Sequence, residues 1–216
     1  MRNEKTKKLC VLAMLAAFAY VIVNLIRIPM VVPFLKYEPK DVVITIGGFL
    51  YGPVSAFLVS AAVSFIEMLT ISDTGWIGMV MNILSTCSFA CTAAWVYKKK
   101  HSLSGAVAGL ALGVVLMVAV MLGWNYILTP LYMNQSRADV AAMLIPYFLP
   151  FNLIKGGLNA GITALLYRPL VQGLRRAGLF PKSSGSTAPA KSNKLLFYIF
   201  TLLVLSLCIA AVFYFR

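Results

Sequence analysis

Long apolar runs separated by short polar breaks dominate this chain and predict helices that cross a membrane. Six of these runs form one group, covering about residues 9–28, 41–51, 53–70, 76–97, 103–129 and 143–168. Proline and glycine mark most of the breaks, as is typical of helix ends. The pattern predicts an all-α, polytopic membrane protein with a six-helix core inside residues 1–178.

A seventh apolar run follows a segment of different composition. Residues 179–194 are rich in Ser, Pro, Ala and Lys, which predicts a flexible linker. Residues 195–215 are then apolar without a charge, which is long enough to span a bilayer. Because this run has no polar face, we expect an additional transmembrane helix over 195–216 that is appended to the core.

The composition agrees with a membrane protein, because 61% of the residues are hydrophobic and only 12% are charged. A soluble domain has about a quarter charged residues. The net charge of +13 does not indicate nucleic-acid binding, since the basic residues lie between apolar runs and form no groove-reading motif.

The basic residues predict the orientation in the membrane. Alternating spans place 13 of the 19 on one side: Arg2, Lys5, Lys7, Lys8, Lys98, Lys99, Lys100, Arg168, Arg175, Arg176, Lys182, Lys191 and Lys194. The other side mixes both signs: Arg27, Lys36, Lys40, Arg137 and Arg216 with Glu38, Asp41, Asp73 and Asp139. Since Lys and Arg favour cytoplasmic loops, we expect the N-terminus in the cytoplasm.

The sixth run contains polar residues that a lipid-facing helix would not have. In "LPFNLIKGGLNAG", Asn152, Lys155 and Asn159 are spaced i, i+3, i+7 and share one helix face. A charge at the bilayer centre costs about 2.5–3.5 kcal/mol and usually faces a cavity or a partner. An interhelical hydrogen-bond cluster or a snorkelling lysine is the alternative. At about 18 Å from the predicted helix start, snorkelling would be difficult.

Other runs offer matching groups: Glu67 in the third, Asn82 in the fourth, and Trp124 and Asn125 in the fifth. Each alone is explained by helix packing. Together they predict a polar pocket that opens outward, with aromatic walls from Trp76, Trp124, Tyr126 and Tyr147. Aromatic faces and amides suit a planar heterocyclic molecule.

The proline-rich segment 28–40 is predicted to be a loop on the outer side. It contains Phe34 and Tyr37 and would cover the pocket as a lid.

No catalytic pattern accompanies these residues. The chain has one His, no paired acids on a helix face, and neither G-x-S-x-G nor H-E-x-x-H. It also has no G-x-x-x-x-G-K-[ST] loop for ATP hydrolysis. We therefore expect no enzyme activity, no metal site and no resident cofactor.

The first run has a possible docking face for another helix. Ala13 and Ala17 are spaced small-xxx-small, which lets a second helix approach closely, although alanine is also common in membrane helices.

Several of these segments together resemble a known family. The Ala-x-x-x-Ala of the first run, "FLKYEPKDV" and "GGFLYGP" are similar to the substrate-binding S components of bacterial energy-coupling factor (ECF) vitamin transporters. Within that family, "LPFNLIKGG" and the asparagine of "WNYILTP" resemble the riboflavin-specific members. The resemblance covers roughly residues 8–178. Riboflavin members often carry an Asp-Phe-Ser-Asp-like stretch where this chain has "YEPKD".

The resemblance implies a subunit in the bacterial cell membrane that binds riboflavin from outside as a substrate. A transmembrane coupling subunit and two cytoplasmic ATPases would drive its release inward. Asn125, Asn152 and Lys155 would contact the flavin ring, and the face of Ala13 and Ala17 would meet the coupling subunit. Three alternatives stay open: an S component for a pterin, thiamine or pantothenate, an ion-coupled carrier that uses Glu67, and a membrane scaffold without a ligand.

Overall fold

The computed structural model describes residues 2–176 and 194–215, most of which are helical, as predicted. Its elements in chain order are α1 (Arg2–Leu25), β1 (Ile28–Met30), β2 (Val32–Tyr37), α2 (Lys40–Tyr51), α3 (Pro53–Thr70), α4 (Gly75–Lys99), α5 (Leu103–Met133), α6 (Arg137–Met143), α7 (Leu149–Arg176) and α8 (Lys194–Tyr214). A single π turn, Leu144–Phe148, joins α6 to α7.

Within these residues, five helices are long and apolar enough to cross a membrane. They are Glu4–Leu25, Pro53–Thr70, Gly75–Lys99, Leu103–Leu131 and Arg137–Tyr167, and a shorter apolar helix covers Thr201–Tyr214. With the short helix α2, the five form the predicted six-helix core. The chain is a multi-pass membrane protein.

Helix α2 is the centre of this core. Every residue from Lys40 to Leu50 is buried, and α2 packs against α1, α3, α4 and α7. Glycine permits this close packing, since a Cβ at Gly48 would lie 2.9 Å from that of Ala94. Lys40 and Asp41, in the first turn of α2, are therefore buried between the other helices.

The segment between α1 and α2 is a β-hairpin, where the sequence predicted a loop. Strands β1 and β2 pair antiparallel, with Ile28 opposite Tyr37. Val31 joins them with a φ of +66°, a left-handed conformation that is unfavourable for a β-branched residue. Both strands are edges, so the prolines that suggested a loop are tolerated. The hairpin buries Tyr37 and leaves Phe34 41% exposed.

The last core span begins at Arg137, earlier than the predicted residue 143, and continues through the π turn into α7. Pro146 and Pro150 lie in and beside this turn. Because proline has no N–H, the regular helical bonds cannot form there. The Leu149 N–H donates instead to the Leu144 carbonyl five residues earlier. The wider turn keeps the helix continuous into the segment that contains Lys155.

An aromatic group joins α2, α4 and α7 at the end away from the hairpin. The hydroxyls of Tyr97 and Tyr167 are 2.7 Å apart, and the Phe49 ring lies 4.7 Å from that of Tyr97. These contacts hold together three helices that supply site residues.

Helix α8 lies along α7. A Cβ at Gly157 would meet Cys208, and one at Gly161 would meet Leu205. The predicted linker lies outside the described residues except for Lys194, which begins α8. The division of the chain into a core, a linker and a separate last span stays a prediction.

Candidate functional site

Six charged residues lie together beside the hairpin, at the N-terminal end of α2. This charged cluster consists of Arg27, Glu38, Lys40, Asp41, Glu67 and Lys155. Arg27 is partly buried, and the other five are buried. Three of the six are cations and three are carboxylates, so pairing can neutralise the group. Burial of charge requires such pairing.

Lys155 is loosely bound in this cluster. Its amine lies 3.6 Å from a carboxylate oxygen of Asp41 and 3.4 Å from the hydroxyl of Ser85. Both distances exceed the about 2.7–2.9 Å of a strong charge-assisted hydrogen bond. Asp41 accepts closer bonds, from Thr86 at 2.6 Å and Asn159 at 3.1 Å. The charge of Lys155 is balanced, but its donors are only weakly engaged.

Lys40, by contrast, is tightly bound. Its amine lies 2.6 Å from Glu67 and 2.9 Å from Glu38. Glu67 also accepts a bond from Asn82 at 2.9 Å, and Arg27 donates to Glu38 at 2.8 Å. These contacts connect the hairpin and its flanks to α2, α3 and α4. They indicate that Lys40 stabilises the packing of these elements.

The charge pattern assigned Glu38, Lys40 and Asp41 to the outer side of the membrane, but these residues are only 5%, 1% and 0% exposed. They are buried because they begin a helix that is itself buried. The available signal was "EPKDVVITIGG", in which a lysine and an aspartate form the first turn of an otherwise apolar helix directly after a proline.

Tyr37, one of the predicted binding residues, connects the hairpin to the charged cluster. Its hydroxyl donates to the Asn159 amide oxygen at 3.0 Å, and the Asn159 amide nitrogen donates to Asp41 at 3.1 Å. The structure therefore brings four of the predicted residues into or beside one network: Tyr37, Glu67, Asn82 and Lys155.

The predicted amides Asn125 and Asn152 are buried and donate to their own helices. Asn125 donates to the Met121 carbonyl at 2.7 Å, and Asn152 to the Phe148 carbonyl at 2.8 Å. Bonds to a carbonyl four residues earlier satisfy an amide N–H where water is absent. The described contacts place neither amide in the charged network.

The predicted aromatic walls are largely exposed, since Trp76, Tyr126 and Tyr147 are 67%, 44% and 40% accessible. Trp124 is partly buried, and its indole Nε1 has no hydrogen-bond partner among the described residues. A buried donor without a partner is unfavourable. Of these aromatic residues, Trp124 is the one whose N–H a polar ligand would satisfy.

The surroundings of the Glu38 carboxyl predict that the stability of the folded protein depends on pH. Burial raises the pKa of this carboxyl, but Lys40, Lys155 and Arg27 more than compensate and hold it below the ordinary value of 4.5. A carboxyl with a lowered pKa stabilises the folded state above its unfolded-state pKa. That contribution is lost as the pH falls through the folded-state pKa.

We therefore expect the melting temperatures of the wild type and a Glu38→Gln variant to differ most near neutral pH. The two curves should converge below the ordinary pKa of 4.5, where the wild-type carboxyl also becomes neutral. Thermal unfolding in detergent across this pH range measures the difference. A gap that does not change with pH would contradict the assigned ion pairs of Glu38.

The predicted docking face on α1 is accessible. Ala13 and Ala17 are both exposed, and their neighbours Met14 and Phe18 are 70% and 57% exposed. The opposite face contains the buried Leu12, and α1 packs against α2 and α3. A partner helix could reach the small residues of α1 within the membrane.

Comparison with known proteins identifies the class of this molecule. Residues 7–167 match the family described as ECF transporter, substrate-specific component. The chain belongs to this family, the S components of energy-coupling factor transporters. It is a transport subunit rather than an enzyme.

Two relatives and one solved structure support this assignment. The riboflavin transporter RibU of Staphylococcus aureus (strain TCH60) is 32% identical over 181 residues, covering 80% of this chain and 95% of that protein. The riboflavin transporter FmnP of Bacillus subtilis (strain 168) is 28% identical over 186 residues, covering 80% and 98%. A solved S component of a bacterial ECF transporter matches with a TM-score of 0.69 at 30% identity, covering 80% of this chain and 99% of that one.

Proposed function

We propose that this chain is the riboflavin-binding subunit of an ECF importer. It takes the vitamin from outside with high affinity and delivers it inward with ATP-driven partner subunits. The names of the relatives support riboflavin as the substrate. The observation that carries the site is the contrast between two buried lysines. Lys40 is held at 2.6 Å by a carboxylate, whereas the partners of Lys155 lie at 3.4 and 3.6 Å.

In this proposal, Lys155 is the cationic donor for the flavin ring. The pyrimidine edge of a flavin has carbonyl oxygens that accept from an ammonium group and an imide N–H that donates. Asn125 and Asn152 carry amides that can both donate and accept, so they match such an edge. Trp124 offers an aromatic face and an indole N–H. The weak bond from Lys155 to Ser85 is the one that a flavin carbonyl would replace.

The remaining predicted residues suit the hydroxyl-rich ribityl chain and the entrance. A ribityl hydroxyl can donate to the Glu67 carboxylate and accept from the Asn82 amide. Tyr37 lies in the hairpin, and in this proposal the hairpin acts as the lid that was predicted to be a loop.

The partners in this proposal are a transmembrane coupling subunit and two cytoplasmic ATPases. The exposed face of Ala13 and Ala17 meets the coupling subunit, since small residues let two membrane helices approach closely. The N-terminus lies in the cytoplasm, because Lys5, Lys7 and Lys8 precede the first span.

Protein purified in detergent from cells grown with riboflavin is expected to be yellow, with close to one flavin per chain by visible absorption. Added riboflavin should displace radiolabelled riboflavin from the protein, whereas a pterin, thiamine and pantothenate should not. A colourless preparation that also fails to bind added riboflavin would remove the flavin assignment. Displacement by one of the other vitamins would identify an S component for that vitamin.

A further inference from the structure

Helix α8 has an inward face that its uniformly apolar sequence does not reveal. Thr201, Leu205, Cys208 and Val212 recur every three or four residues and are buried or partly buried. Leu207, on another side, is 61% exposed. This periodicity is that of a helix packed along one side. Helix α8 is therefore packed against the protein and has a defined orientation.

The surface under this face is a glycine groove on α7. Gly157 lies against Cys208, and Gly161 lies against Leu205, so α8 runs antiparallel to α7. The two glycines are four residues apart, the spacing at which small residues let membrane helices approach closely. A side chain at either position would fill the space that α8 occupies.

Helix α8 also shares a hydrophobic cluster with the hairpin. The buried members of this hairpin cluster are Met30, Tyr37, Phe151, Ile154 and Leu158. Packed against them are Val31 and Leu35 of the hairpin and Leu205, Cys208, Ala211 and Val212 of α8. The apolar side of the hairpin therefore packs against residues of both α7 and α8.

The hairpin is held by this attachment and by the buried ion pairs beside its two ends. A two-stranded hairpin is marginally stable by itself, and the turn residue Val31 has an unfavourable positive φ. The ion pair between Lys36 and Asp73 is 3.0 Å long but exposed, and exposed pairs contribute little. Tyr37 belongs to the hairpin cluster and also bonds to Asn159. A displacement of the hairpin would therefore break the bond from Tyr37 to Asn159 and disturb the charged cluster, to which Asn159 is bonded.

We propose that α8 is an intramolecular clamp that holds the hairpin closed over the charged cluster and so slows the release of bound substrate to the outside. The effect on release rests on the proposed riboflavin-binding function, whereas the effect on the hairpin does not.

A disulfide tests the docking of α8. In a Gly157→Cys variant, the new Cβ would lie 2.5 Å from the native Cys208 sulfur, too close for a non-bonded contact but within reach of a covalent link between the two sulfurs, so a disulfide should form on mild oxidation. With a protease site inserted in the linker, the two fragments should then stay joined on a denaturing gel until a reductant is added. The Gly157→Cys/Cys208→Ser double variant is the control and should separate without a reductant. Separation of both variants would overturn the clamp.

A second experiment loosens the clamp. Gly161→Leu pushes against Leu205 of α8, whereas Gly173→Leu makes the same change where a Cβ would meet no atom of the described residues within 4 Å. We expect hydrogen exchange at the hairpin amides to be about tenfold faster in Gly161→Leu than in Gly173→Leu. Riboflavin dissociation should be faster by a similar factor. Cys208→Trp, with the exposed Leu207→Trp as its control, repeats the comparison from the α8 side.

Equal exchange in the paired variants would overturn the clamp, and faster exchange without faster release would overturn its role in release. If the wild type does not bind riboflavin, the proposed function fails, while the exchange comparison still decides whether α8 holds the hairpin.

Discussion

Replacing Lys155 with methionine is expected to lower the affinity for riboflavin by about a hundredfold or more. A hydrogen bond with one charged partner contributes about 1.5–3 kcal/mol, and a buried acceptor that is left without its donor costs about 1–3 kcal/mol more. Methionine keeps the apolar stem but lacks the ammonium group, so the carbonyl edge of the flavin would lose its cationic donor. Titration of the purified protein with riboflavin, followed by flavin fluorescence, measures the loss.

The matched control separates binding from stability. Lys155→Met alone leaves the buried Asp41 with the bonds from Thr86 and Asn159 but without its cation. The double variant Lys155→Met/Asp41→Asn removes both charges. It should regain most of the lost thermal stability and bind riboflavin as weakly as the single variant. Affinities within about tenfold of the wild type, or about 1.4 kcal/mol, would show that Lys155 does not bind the flavin.

Replacing Lys40 with methionine is expected to have the largest effect on stability. The substitution leaves Glu38 and Glu67 buried near each other without the amine between them. Breaking a buried ion pair by removing one partner costs about 3–5 kcal/mol. Glu38 keeps Arg27 at 2.8 Å, so Glu67 is the carboxylate that loses its cation. Thermal unfolding in detergent should show a large decrease in melting temperature.

The neutral double variant Lys40→Met/Glu67→Gln is the control for this second effect. It removes the amine together with its closest carboxylate and should recover most of the lost stability. If the single and double variants were equally unstable, the pairing of Lys40 with Glu67 would not be what stabilises this region. The two lysines should therefore differ: Lys155 acts mainly on affinity, and Lys40 mainly on stability.

The spans of the core were largely predictable because apolar length and helix-breaking residues are local signals. The run predicted over 53–70 is α3 (Pro53–Thr70), and the run over 76–97 lies within α4 (Gly75–Lys99). The hairpin was not predictable in the same way. Its strands are short, contain prolines and are stabilised by the surrounding helices rather than by their own pattern.

The candidate site was predictable in part. The common face of Asn152, Lys155 and Asn159 follows from helical spacing alone. The partners of these residues do not, because they lie far away in the chain: Asn159 bonds to Asp41, 118 positions earlier. The local pattern of "EPKDVVITIGG" indicates charges in the first turn of an apolar helix, but it does not identify the distant side chains with which these charges pair.

Three conclusions follow from the amino-acid sequence alone: the chain lies in a membrane, six apolar runs form its core, and Lys155 needs a polar partner. These conclusions depend on the local cost of placing charges and backbone polar groups in hydrocarbon. The tight pairing of Lys40, the loose contacts of Lys155 and the packing of α8 against the hairpin became clear only from the folded structure. A uniformly apolar helix has no sequence pattern that shows which of its faces is buried. The glycine groove of α7 and the side chains around it determine which face of α8 packs inward.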